Sequence, residues 1–126
     1  MEEFPQKLKL ETENLTDEDF NKKYRPGGWT IRQIVNHCAD SHMNSLIRFK
    51  LAMTEDLPTI KPYSEDLWAE LADSKNFPIE SSIKILEGLH ERWVVFLKSM
   101  SENDFEKAFI HPETQEKVSL KNNIGF

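Results

Sequence analysis

Cysteine occurs once in this chain of 126 residues, at Cys38, and glycine only four times. A single cysteine excludes an internal disulfide and agrees with a reducing compartment. Long apolar runs are missing as well. The longest are a few residues, far short of the roughly 20 needed to span a bilayer. Dense runs of Lys and Arg are equally absent, and the formal charge of −6 is spread along the chain. Nothing here tracks a phosphate backbone, so nucleic acid is excluded as an expected partner. The opening Met1-Glu2-Glu3-Phe4-Pro5 lacks the basic and apolar regions of a signal peptide. The expectation is a cytoplasmic protein with neither a nucleic-acid nor a membrane partner.

What is present is the balance of an ordinary globular domain, 38% hydrophobic and 30% charged. One domain over residues 1–126 is expected, long enough to bury a single core. Phe4, Leu8 and Leu15 stand at helical spacing, and Thr16 to Asp19 reads as a cap opening a short helix. Pro26-Gly27-Gly28 then breaks the chain. Thr30 and Gln33 form a capping box, followed by no Gly or Pro until Pro58. The spacing predicts a helix to about Thr54, with Ile31, Ile34, Val35, Cys38, His42, Leu46, Phe49 and Met53 on its buried face.

Further on, Thr59 to Tyr63, with Pro58 just before it and Pro62 within it, reads as a crossover loop. Ser64 starts a short helix carrying Leu67, Trp68 and Leu71, and a second long helix runs from Ile79 to about Ser99. Its buried side is marked by Ile83, Leu86, Leu89, Trp93, Phe96 and Leu97. Ser101 and Asp104 cap a further turn, and Phe109 to Val118 reads as extended or hairpin-like. Ser119, Leu120, Ile124 and Phe126 have the look of an N-cap and an amphipathic first turn, so the chain is expected to stop inside a helix.

Four histidines are the candidates for chemistry: His37, His42, His90 and His111. No two stand three or four apart, the spacing that sets two ligands on one helix face, so any metal site must be assembled from different elements. His42 lies in the apolar stripe and reads first as a hydrogen-bonded core residue, with a ligand role as the lesser alternative. His37 shares a narrow polar stripe with Ser41, Asn44 and Arg48, flanked by Asp40. His, Ser, Asn and Arg in place of Lys, Glu and Gln suggest a polar cleft or interface, with a plain solvated face as an equal alternative. Cys38, in the core stripe, reads as a buried inert thiol. His90 borders the core stripe of the second long helix, and His111 before Pro112 reads as a loop feature. Trp29, Trp68 and Trp93 read as core anchors.

The stretch Tyr24 to Gln33 with Asn36-His37-Cys38-Ala39-Asp40-Ser41-His42-Met43-Asn44 resembles the signature of the DinB-like superfamily. More closely, it resembles the YfiT-type metal-dependent hydrolases, relatives of the bacillithiol transferases. Ile47 to Leu51, Lys61-Pro62-Tyr63, Leu89 to Trp93 and Phe109 to Pro112 follow in the same order. The resemblance implies an all-α four-helix bundle, often a homodimer or otherwise self-associated. It also implies a divalent metal, zinc or nickel, held by a histidine of the second helix and an H-x-x-x-H pair of the last. Such a metal would activate a water, or a thiol in the transferase branch. The histidine matching the second-helix ligand is His37. The family pattern continues past Phe126 into the helix that bears the pair, and it also extends further at the other end. The expected fold is therefore that bundle with its last helix largely missing.

Two functions follow as expectations. One is a metal-dependent hydrolase or thiol S-transferase acting on a small-molecule or thiol substrate, with His37 as the metal ligand. The alternative is a non-catalytic helical module whose exposed apolar groove binds a partner chain or self-associates.

Overall fold

The structure is a computed structural model, and it describes residues 3–25, 27–111 and 117–120. Helix α1 spans Phe4–Thr12, with Pro5 in the first turn where a missing N–H costs nothing. Helix α2, Asp17–Phe20, is opened by a complete capping box between Thr16 and Asp19. Helix α3, Ile31–Thr54, starts at the predicted box: Gln33 N–H donates to Thr30 Oγ1 at 3.1 Å, and Gln33 Oε1 accepts from Thr30 N–H at 2.9 Å. The same Gln33 donates its amide to the Ala69 carbonyl at 2.7 Å, so one side chain both starts α3 and ties it to a distant segment.

The segment predicted as one short helix after Ser64 forms two, α4 (Glu65–Ala69) and α5 (Ala72–Lys75). Both pack on α3 through small residues, Ala69 and Ser74, while Leu67 and Leu71 point outward. The expectation that Trp29 and Trp68 anchor the core is corrected here: Trp29 is half-buried and Trp68 is exposed, leaving Trp93 as the buried one. Periodicity cannot see this, because a short helix lying on the surface offers its larger face to solvent.

Helix α6, Glu80–Ser99, packs against both α3 and α1. A 3-10 turn, Asn103–Glu106, leads to strand β1 (Ala108–Ile110), which pairs antiparallel with β2 (Lys117–Ser119). The extended reading of Phe109 to Val118 holds at its two ends, and residues 112–116 lie outside the described residues. Register places Phe109 opposite Val118. Ile110 also bonds back to the crossover loop, donating to the Pro58 carbonyl at 2.8 Å and accepting from Ile60 N–H at 3.0 Å. The helix predicted to begin at Ser119 lies outside the described residues beyond Leu120, which is itself fully buried.

The core divides into two apolar clusters. One gathers Leu46, Phe49, Ala52, Ile60, Trp93, Phe109 and Leu120, with Phe49 edge-on to Trp93. The other gathers Phe20, Val35, Ile79 and Ile83. Polar groups lie buried along the same helices. Asn36 donates to the carbonyls of Ser74 and Phe77 at 3.0 and 3.2 Å and accepts from the Ser82 hydroxyl at 2.6 Å. Farther along, His42 meets His90. No helix among the described residues is long and apolar enough to cross a membrane.

Candidate functional site around His37

The site is built on the entry to α3. Gly27 takes φ +74°, a left-handed conformation that suits glycine. A Cβ on Gly28 would meet Arg25 Cγ at 2.8 Å. The turn is closed by Gly28 N–H donating to the Arg25 carbonyl, Tyr24 N–H to the Trp29 carbonyl and Ile31 N–H to the Lys22 carbonyl, at 2.9, 3.0 and 3.0 Å. That geometry returns the chain so that Trp29 lies over the first turns of α3. Its ring centroid sits 4.7 Å from that of His37, tilted by 52°.

His37, Asp40, Ser41, Asn44 and Arg48 are all half-buried. The polar stripe is thus neither a solvated face nor a core. Asn44 turns back on its own helix, donating to the Asp40 carbonyl at 2.8 Å. His37 makes no hydrogen bond with a described residue. The Asp40 carboxyl is pushed up, by burial first and by the charge of Asp73 second, with His37 pulling the other way. Tyr63 arrives from the crossover loop, and its position over the stripe was not legible in the helical spacing. Its hydroxyl lies beside Ser41 and feels the charges of Asp40 and Arg48. Burial and Glu65 push the phenol upward, so it stays protonated at neutral pH.

The other candidates separate cleanly. His42 is a buried core residue bonded to His90, as its place in the apolar stripe suggested. His90 is fully buried rather than marginal. His111 follows β1 and lines a cleft with Arg48, Pro62 and Tyr63. Cys38 is half-buried, and burial raises its thiol pKa, so it is no thiolate nucleophile at neutral pH. Among the described residues there is no group of three His, Cys, Asp or Glu side chains placed to hold a metal.

The DinB superfamily model matches the chain over residues 1–126. The chain belongs to the DinB superfamily. Within that superfamily it is similar to "Putative metal-dependent hydrolase YfiT" of Bacillus subtilis (strain 168), 48% identical over 125 residues. That match covers 99% of this chain and 70% of the relative. A "Putative metal-dependent hydrolase" of Bacillus cereus (strain 03BB102) is 53% identical over 116 residues, covering 92% of this chain and 66% of the relative. One from Oceanobacillus iheyensis is 49% identical over 125 residues, covering 99% and 72%. The chain therefore spans about two thirds of the length of these DinB relatives. A solved structure of YfiT from Bacillus subtilis superimposes with TM-score 0.94 at 49% identity, over 96% of this chain and 69% of that one. It is described as "a probable metal-dependent hydrolase with an unusual four-helix bundle topology". The DinB fold expected from the motif series is the fold found, an all-α bundle of the YfiT kind. The names of these relatives carry metal dependence but do not say which metal.

Proposed function

We propose that this chain is the His37-bearing part of a metal-dependent hydrolase, or of a thiol S-transferase of the bacillithiol type, acting on a small-molecule substrate. The observation that carries this reading is the seating of His37. Its imidazole is half-buried, packed on Trp29, and bonded to no described residue. Packing of that kind fixes a ring while leaving its nitrogens available to a divalent ion such as zinc or nickel.

The residues present do not complete a ligand set. No group of three donors exists among the described residues, and no two histidines of the sequence stand four apart. His37 is one ligand of three in this reading. The other two belong to an H-x-x-x-H pair outside these 126 residues, or to a second copy of the chain. Around His37, Asp40 is the candidate proton carrier, since burial and Asp73 lift its carboxyl above the ordinary range.

Elemental analysis of the tag-free protein in its full natural length tests this. Stoichiometric zinc or nickel, lost in His37→Ala and kept in His42→Asn, is expected. A folded His37→Ala protein that keeps its metal overturns the ligand role. Parallel assays with ester or amide substrates and with thiol-conjugation substrates separate hydrolase from transferase.

A second reading is favoured by outward apolar side chains on the long helices. Ile47 is 56% exposed and Val95 69%. A non-catalytic module would use such surface to bind a partner or itself. Concentration-dependent association in sedimentation supports that reading, and a monomer at high concentration opposes it.

A further inference from the structure

We propose that Arg48 and Tyr63 form an anion subsite that holds the acidic group, a carboxylate or a phosphate, of the small molecule this chain acts on. The inference deepens the enzymatic reading above and rests on it for the word substrate, but not for binding.

Three observations converge. First, Arg48 is half-buried on α3, and no carboxylate among the described residues lies within ion-pair distance of it. The molecule's other deeply placed guanidinium, on Arg32, does have such company: the Phe77 carbonyl at 3.4 Å, Asp17 at 3.5 Å and the face of Phe20 at 5.4 Å. Second, the Tyr63 hydroxyl is shielded from solvent, and no described residue makes a hydrogen bond of good geometry to it. With only the Ser41 hydroxyl beside it, this protonated phenol is a donor that an acceptor reaching it would satisfy. Third, the two groups line one cleft of about 550 Å³, together with Pro62 and His111.

The chemistry of the pair is specific. A guanidinium presents a planar fork that matches two oxygens of a carboxylate or phosphate, and a phenol adds one further donor to the same anion. Trp68 lies against Tyr63 with ring centroids 4.5 Å apart and planes tilted by 52°, which holds the phenol in place. Glu65 and Asp66 also line the cleft, but they are exposed on its rim, where water and salt weaken their repulsion. Along the stripe, Ser41 and Asp40 lie between this subsite and His37. An acidic group held at Arg48 would thus direct the rest of a small molecule toward His37.

Calorimetric titration of the metal-free protein, in a weakly coordinating buffer at low salt, tests the subsite with two probes, succinate and inorganic phosphate. Saturable 1:1 binding of at least one probe is expected, and the tighter probe identifies the acidic group. Arg48→Gln should weaken it by about tenfold or more, and Tyr63→Phe by roughly several-fold, with circular dichroism unchanged. Arg48→Lys, which keeps charge and bulk, should bind more weakly than the parent because it lacks the fork. Absence of saturable binding by both probes up to about 10 mM, a level where even weak single-site contacts register, overturns the proposal. So does equal binding by a folded Arg48→Gln protein. Neither probe needs metal, so a negative result here leaves the role of His37 to its own metal assay.

Discussion

The Nδ1 atom of His42 and the Nε2 atom of His90 stand 2.6 Å apart, hydrogen-bonded in the buried space between α3 and α6. Phe4 of α1 lies against both rings, with centroids 4.9 and 5.5 Å away. Three helices therefore meet at one pair of imidazoles. One nitrogen of the pair donates and the other accepts, so the geometry suits neutral rings.

Acid should loosen this junction. Burial first, then the charges of His90 and His37, push the His42 pKa from 6.5 down to about 4. As pH falls through 6.5 the unfolded chain takes up a proton that the folded one refuses. The stability His42 contributes is complete above about pH 6.5 and is lost between there and about pH 4. The total is at most roughly 3 kcal/mol. Urea midpoints measured across that window should fall with pH in the parent and much less in His42→Asn. An equal slope in both proteins would remove His42 from the explanation.

Asn36 should be among the costliest polar side chains to remove. It donates to two backbone carbonyls and accepts from Ser82, joining α3 to α5, to the Phe77 turn and to α6. Asn36→Ala leaves those buried groups unpaired and is expected to cost about 2–4 kcal/mol. Equilibrium unfolding with an unchanged denaturant slope would measure it, and a loss below about 1 kcal/mol, the level of an ordinary single bond, would contradict the account.

The start of α3 offers a milder test. Thr30→Ala removes the acceptor for Gln33 N–H and should cost about 1 kcal/mol, while Thr30→Ser should recover most of it. Thermal unfolding of the two variants gives the comparison.

Cys38 should react slowly. Burial raises its pKa and withholds the thiolate. Labelling by a disulfide reagent at pH 8 is expected to be at least about tenfold slower in the native protein than in urea. Equal rates would mean that the thiol is open to solvent.

Much of the fold was legible in the sequence for local reasons. Capping boxes at Thr16 and Thr30, the Pro-Gly-Gly break and the long stretch free of Gly and Pro each act through neighbours within four residues. They fixed where α2 and α3 begin and how far α3 runs. Helical spacing likewise placed His42 in the core and His37 beside it, and the motif series pointed to the DinB fold. Spacing could not tell a half-buried polar stripe from a solvated one, because that depends on what lies over the helix.

Tertiary structure decided what covers what. Gln33, Asn36 and Arg32 look like surface residues in sequence, yet they are buried because backbone carbonyls of Ala69, Ser74 and Phe77 arrive from about 40 residues away. The partnership of His42 with His90 and the closing of Tyr63 over Ser41 and Arg48 likewise join separate elements, whereas Trp29 reaches His37 from the turn just ahead of α3. The sequence by itself determined which residues are the candidates for chemistry and which helix face they share. Only the packing of α6 and the two loops against α3 decided which of them are dry, which are bonded, and which remain open to a ligand. Hydrogen bonding and burial at these positions are set by chain segments far apart in sequence.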